Sequence, residues 1–467
     1  MIRSRGAWSH RVLARRWLLS FVPVNAATSG FGVMLPLLIL LRLHGTLLDV
    51  ALAAVLYNIS VILASVLWGY VTDRYPNRRA LLVLNFGAYG AVFLLLGVLP
   101  SLPALFVLYT AIGFIAPAGS NASNLLILEQ FSEAERPNAY ASFLEVSILG
   151  GIVGVLVGYF WLLEGGALTT LLILFSALAF ASVAAVVVGI KPSAQMLTTV
   201  HVTKSPESLL ARLRHSVEFR GYIPFFPRVR LLPGLVARFR LWAVEEMRHE
   251  LPLILAAGFL FNFASNLYNT SYTPYLESVG LATSAIFLVN FANNLTQGFA
   301  YPLSGALASR EGSDALVRQA TFMRSLGYLA TAGFTFAAVP IALSFGMNAL
   351  VFAVLGGAIA LYSTASSLIL FRGLARRDAG TILGVNSALG GVAAVLGSLA
   401  SGLISFYGSF RLTFLVAAAA LLISLPLWTA AEVAYSRRRG TPVVRIGSSK
   451  PGPPRRRTPP PEPSATG

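Results

Sequence analysis

Long apolar blocks recur along the chain, each bounded by short polar or charged stretches. A helix crossing the roughly 30 Å hydrocarbon core of a bilayer needs about 20 mostly apolar residues. Twelve blocks meet that length: 17–41, 50–72, 80–99, 104–128, 139–163, 168–190, 251–276, 282–308, 322–343, 347–371, 380–406 and 412–432. The pattern predicts twelve transmembrane helices. Several blocks are interrupted by Gly, Pro or Asn, as expected of tilted or kinked helices. Arg11, Arg15 and Arg16 precede the first block as in a signal peptide. That block is longer than the roughly 7–15 apolar residues of a signal, and another follows directly, so it reads as a retained first helix.

The blocks group as six and six around residues 191–249, and the groups resemble each other. Asn25 and Pro36 of the first block recur as Asn262 and Pro274 of the seventh, and Gly45 recurs as Gly280. Asn58, Gly69 and Asp73-Arg74 recur as Asn294, Gly305 and Ser309-Arg310; Leu149-Gly150-Gly151 recurs as Leu389-Gly390-Gly391. Shared order at near-constant spacing indicates a duplication. The expected architecture is an all-α integral membrane protein of two six-helix bundles related by a pseudo-two-fold. Repeats of this kind place a binding site between the halves near the bilayer midplane. The division is 1–16 N-terminal segment, 17–190 first bundle, 191–249 basic linker, 250–432 second bundle and 433–467 basic Pro-rich tail. In the linker, Leu232, Leu235, Val236, Phe239 and Trp242 share one helical face, as in a helix resting on a membrane surface. The part before residue 230 reads equally as a solvated linker, and the tail from about 437 as disordered.

Composition sharpens the class. Hydrophobic residues make up 56% and charged residues 11%, against about 25% charged in soluble domains. Cysteine is absent, which excludes disulfides, thiolate metal sites and cysteine nucleophiles. A net charge of +17 would suggest nucleic acid on a soluble protein. Here all of the 35 Lys+Arg except Arg42 and Arg411 fall on one side of the predicted spans, Arg324 being counted with its loop. The positive-inside rule then puts both termini and the linker in the cytoplasm of a cell (plasma) membrane protein, with anionic lipids as partners of the basic loops and no role for nucleic acid.

The loop after the second span reads Gly69-Tyr-Val-Thr-Asp73-Arg74-Tyr-Pro-Asn-Arg78-Arg79. It resembles the signature loop of the major facilitator superfamily, G-x-x-x-D-R-x-G-R-R, with Pro76 and Asn77 in place of the usual x-Gly. Glu133-Ala-Glu135-Arg136 is similar to that family's acidic-Arg stretch before the fifth helix. The resemblance covers residues 15–435 and implies a secondary transporter working by alternating access. It also implies that Gly69, Asp73, Arg74, Arg78 and Arg136 belong to a cytoplasmic latch, in which Asp73 sits at a helix N-terminus and the arginines close a network with Glu133 and Glu135. For Arg78 and Arg79, topology alone is an adequate alternative. Gly69 is expected to let two helices approach closely. The fifth span has Gly150, Gly151, Gly154 and Gly158 but lacks the Gly-Pro pair of drug–proton antiporters.

Ionisable groups inside a span are functional candidates, and by this reading only Glu145 qualifies. It is either a proton carrier or a structural Glu satisfied by a hydroxyl or by Arg136. Neutral polar residues are more abundant. Asn262, Asn266 and Asn269 share a helix face, with Tyr268 and Tyr272 nearby; Asn290, Asn294 and Gln297 repeat the pattern, and Asn25, Asn58 and Asn386 add to it. They form either a wet cavity for a neutral, zwitterionic or amphipathic solute, or interhelical hydrogen bonds. The sequence has no phosphate loop, metal-ligand cluster or catalytic triad, so it predicts no cofactor and no enzyme. The expectation is a monomeric secondary active or facilitative transporter of a small-molecule solute, with H+ as the candidate coupling ion. A proton-coupled multidrug antiporter and a non-transporting sensor or scaffold are the alternatives.

Overall fold

The computed structural model describes residues 16–74, 77–131, 136–190, 250–335, 340–373 and 379–439. Among these are twelve long helices and no strand. The first half holds α1 (Phe21–Leu37), α2 (Leu47–Arg74), α3 (Arg78–Val98), α4 (Leu102–Gln130), α5 (Arg136–Leu163) and α6 (Leu168–Gly189). The second holds α7 (Leu251–Ser278), α8 (Thr283–Glu311), α9 (Ser313–Phe334), α10 (Ile341–Gly373), α11 (Ala379–Tyr407) and α12 (Phe410–Arg439). A 3-10 turn, Arg16–Ser20, leads into α1, and a π turn, Leu38–Arg42, follows it just after Pro36. The linker helix, most of the tail and the Glu133–Glu135 stretch lie outside the described residues.

Backbone groups in hydrocarbon must be bonded within the protein, and helices achieve this everywhere but at their ends. The ends are capped locally. Asn77 Oδ1 accepts from Ala80 N at 3.0 Å, and Asp49 Oδ2 accepts from Thr46 N at 2.7 Å. Val24 N, in the first turn of α1, donates to Ser182 Oγ of α6 at 2.8 Å. Gly280 and Gly312, with φ of +83° and +87°, make the sharp exits from α7 and α8.

The packing repeats along with the sequence. Within the first half α1 packs on α5 and α6, α2 on α4, and α3 on α4 and α6. Adding six to each number gives the packing of the second half: α7 on α11 and α12, α8 on α10, α9 on α10 and α12. Glycine carries the tightest crossings, since a missing side chain lets backbones approach. A Cβ on Gly154 would overlap the Ala26 carbonyl, and one on Gly397 would overlap the Phe263 carbonyl. Gly113 against Tyr57 O and Gly356 against Asn293 O form a second repeated pair. The halves meet along α5 with α8 and α2 with α11.

Ten helices are long and apolar enough to cross a membrane by themselves, and α8 and α9 fall below that mark. The ninth span corrects the sequence reading. It begins at Ser313 and ends at Phe334, where the apolar block suggested 322–343. The physical reason is that α9 turns its polar residues inward: Thr321, Arg324 and Thr331 are buried along with Leu316, Val317 and Tyr328. Mean apolarity undervalues such a helix. The tenth helix accordingly starts at Ile341, and α12 continues to Arg439.

Candidate functional site

A cavity of about 390 Å³ opens between the halves. Ser29, Gly32 and Val33 line it from α1; Phe261, Asn262, Ser265, Asn269, Tyr272 and Thr273 from α7; and Asn290, Asn293, Asn294 and Gln297 from α8. Phe352, Leu355 and Ile359 close it from α10, and Arg324 reaches in from α9. Asn262, Asn294 and Arg324 each stand near the middle of their helices, which places the cavity near mid-membrane.

Six of the expected path residues meet here: Asn262, Asn269, Tyr272, Asn290, Asn294 and Gln297. The others do not. Asn266 is rotated out of the stripe, with its Cβ against Gly397 of α11. Tyr268 is fully buried behind the cavity, its hydroxyl 2.9 Å from Thr331 Oγ1 and its ring stacked on Tyr328 at 4.0 Å. Asn25 and Asn58 donate to the carbonyls of Phe21 and Ala54, each at 2.8 Å. Asn386 points toward Gly258. The bonding alternative also needs correcting. Asn25, Asn58, Asn262, Asn266 and Asn290 all donate to the carbonyl four residues earlier in their own helix, not across helices. Such back-bonding uses one amide hydrogen and leaves the oxygen and second hydrogen available. Asn293 does bridge helices, donating to Phe352 O of α10 at 2.7 Å.

Arg324 was missed by the sequence reading, which counted it with a loop and named Glu145 as the sole ionisable group in a span. Arg324 is only 5% exposed. An arginine at mid-membrane costs about 2.5–3.5 kcal/mol on insertion scales. Its Nε donates to the Tyr328 hydroxyl at 2.7 Å, and its guanidinium carbon stands 5.3 Å from the Phe261 ring centre and 5.4 Å from that of Tyr328. Aromatic faces attract a desolvated cation, which offsets part of that cost. The available signal was periodicity: Val317, Thr321, Arg324, Tyr328 and Thr331 fall on one helical face that continues through the supposed loop. Glu145 is half-buried in α5, engaged with neighbouring groups and absent from the cavity wall.

Nothing is described of the side chains of Asp73, Arg74 and Arg136. Arg78 donates from Nε and Nη2 to Glu129 Oε1 of α4 at 3.0 and 2.9 Å, and from Nη1 to the Thr72 carbonyl of α2. These bonds join helices of one half and do not bridge the two. The second half carries the equivalent pair with its charges exchanged. Asp314 opens α9 as Arg78 opens α3, and Arg372 near the end of α10 donates to Asp314 Oδ1 at 2.9 Å. Burial pushes the Arg372 guanidinium toward its neutral form, but hydrogen bonds to Asp314 and that carboxylate's charge outweigh it and hold the pKa above its ordinary value. Arg318 pairs with Glu432 on the same side.

Among the described residues, the halves touch near mid-helix, where a Cβ on Gly391 would overlap the Ile62 side chain, and again on the side away from the termini. Away from the termini, a Cβ on Gly158 would overlap the Phe287 ring, and one on Gly402 would overlap Ala51 Cβ. Toward the termini, a Cβ on Gly69 or Gly305 would meet nothing within 4 Å among the described residues. Among the described residues no close approach is made at Gly69, and Gly402 and Gly158 make such contacts.

The sequence profile of the Major Facilitator Superfamily matches residues 17–396. The chain belongs to that family. No curated protein sequence matches it. Among solved structures, an aspartate-to-alanine mutant of the nucleoside transporter NupG aligns at 14% identity over 90% of this chain and 99% of its own, with a TM-score of 0.65. A D-xylose–proton symporter aligns at 15% identity over 90% and 97% of the two chains, with a TM-score of 0.61. A POT family transporter in complex with a thioalcohol-conjugated peptide aligns at 11% identity over 91% and 96%, with a TM-score of 0.67. These likenesses carry the twelve-helix superfamily fold. The protein is thus a multi-pass membrane transporter of that superfamily, and the cavity occupies the place between halves where repeat-built transporters bind their cargo.

Proposed function

We propose that this superfamily member moves a small polar organic solute through its central cavity by alternating access, as a secondary active or facilitative transporter. One observation carries the reading: a cavity lined from both halves, with six amides in its wall, between halves that touch tightly at Gly158 and Gly402. Amides facing a void at mid-membrane are poorly suited to lipid and well suited to a hydrogen-bonding cargo. The similar folds are named for a nucleoside, for D-xylose with a proton, and for a complex with a thioalcohol-conjugated peptide, all polar organic molecules.

The excess of Lys and Arg on the side of the termini supports a plasma-membrane orientation with both ends cytoplasmic, and anionic lipid headgroups as neighbours of those loops. In that orientation the present conformation faces inward. No carboxylate or histidine lines the cavity among the described residues, so a proton would have to be carried outside it, and Glu145 is the candidate. Counterflow of radiolabelled nucleosides, sugars, amino acids and peptides in proteoliposomes tests the function. Exchange of at least one class, abolished when the cavity amides are replaced, is the expected result; the absence of exchange for every class removes the proposal. Flux that vanishes without a pH gradient, and in Glu145→Gln, assigns the coupling to a proton, whereas gradient-independent flux assigns facilitated diffusion.

A further inference from the structure

We propose that Arg324 anchors a carboxylate on the transported solute, so that the cavity takes small organic monoanions and zwitterions in preference to neutral molecules. This deepens the transporter reading above and rests on it.

Three arginines nearer the membrane faces hold carboxylates. Arg78, Arg318 and Arg372 pair with Glu129, Glu432 and Asp314 respectively. Arg324, the most buried of these four, has no carboxylate partner among the described residues. Its Nε is taken by Tyr328, while the two Nη groups have no hydrogen bond among the described residues and the side chain forms part of the cavity wall. A guanidinium presents its donors as a planar fork that matches a carboxylate in two parallel bonds. In a poorly solvated site the unpaired charge is costly, and an incoming anion relieves it.

A second observation points to the same spot. Ser265, one helical turn from Phe261 on α7, is 8% exposed and lines the cavity beside the Tyr328 hydroxyl, yet its Oγ has no hydrogen bond of normal geometry. A carboxylate held by Arg324 would offer that hydroxyl an acceptor. Among the described residues the cavity wall contains no Lys and no second Arg, so their charge there is a single positive one. That balances a carboxylate and leaves a phosphate dianion in excess. The free oxygens and second hydrogens of Asn262 and Asn290 remain for the polar body of the solute.

The test uses the full chain purified in detergent and matched acid–amide pairs: lactate with lactamide, nicotinate with nicotinamide, and alanine with alaninamide. Thermal unfolding reads binding, because a ligand of the folded state raises the midpoint. At least one acid is expected to raise the midpoint where its amide does not. Arg324→Gln should weaken that binding about 10- to 100-fold, the usual worth of a hydrogen bond to a charged group. Arg324→Lys keeps the charge without the fork, so it should retain the preference for acid over amide at reduced affinity. It serves as the reporter if Arg324→Gln does not fold. Equal binding of acid and amide, or undiminished binding in both variants, overturns the proposal. Binding confined to neutral sugars or nucleosides also overturns it, while leaving the transporter reading intact. If no solute binds and none exchanges in proteoliposomes, both readings fall.

Discussion

Replacing Gly402 with Ala should tilt the protein toward the opposite conformation without unfolding it. The glycine lies on α11 where the halves close, and a Cβ there would overlap Ala51 Cβ and stand 3.4 Å from the Leu47 carbonyl oxygen of α2. Neither neighbour can rotate away, since one is a methyl on the backbone and the other is backbone itself. Carbon atoms pack best at about 3.5–4.0 Å, so α2 and α11 must separate by roughly 1–2 Å. Overpacking of this order costs about 1–3 kcal/mol. The overlap exists only while the halves touch on this side, so the cost falls on this conformation and not on one in which they part. A bias of that size shifts a two-state equilibrium about 5- to 150-fold. Distances between spin labels on the ends of α2 and α11 away from the termini, measured in wild type and Gly402→Ala, report the shift. A longer distance population should grow in the variant, with thermal stability nearly unchanged. An unaltered distribution with a lowered unfolding midpoint would mean that the contact is ordinary packing and not a gate.

Other substitutions separate gating contacts from structural ones. Gly154→Ala sets a methyl group on the Ala26 carbonyl inside the first half, so it should lower the unfolding midpoint in every conformation, by about 1–3 kcal/mol or more of stability, as read by detergent melting curves. Gly69→Ala meets nothing within 4 Å among the described residues and should not lower the same unfolding midpoint. Asp314→Arg or Arg372→Asp alone should destabilise by between about 1 kcal/mol, typical of exposed pairs, and about 3 kcal/mol, typical of buried ones. The side chains are 18% and 22% exposed, and the double exchange should recover most of the loss, since Arg78 with Glu129 already uses the opposite polarity at the equivalent place.

Most of the fold was legible because hydrocarbon imposes a simple rule of about 20 apolar residues per crossing, and because duplication writes it twice. The helix–helix contacts follow the same repeat, down to Gly154 and Gly397 on their partner carbonyls. The rule broke where a helix earns its place by polar contacts. α9 hides Arg324 against Tyr328 and Phe261, and an apolarity count cannot distinguish that from a loop arginine. The asparagine stripes were readable as stripes. Asn262 and Asn269, seven residues apart, share the cavity, whereas Asn266 is turned by about 40° onto α11. Tyr268 belongs to the layer behind, where its hydroxyl serves Thr331. Which glycines touch in a given conformation is not written locally, because the contact at Gly402 depends on how the two halves sit against each other.

The most direct test exploits a chain with no cysteine of its own. Asn262→Cys, Asn269→Cys and Asn294→Cys, each alone in oriented vesicles, can be challenged with a membrane-impermeant maleimide from either side. The account predicts that all three react from the side of the termini in the otherwise unaltered protein, and that adding Gly402→Ala brings reactivity from the opposite side. Positions sealed from both sides in both backgrounds would contradict a solute path through this cavity.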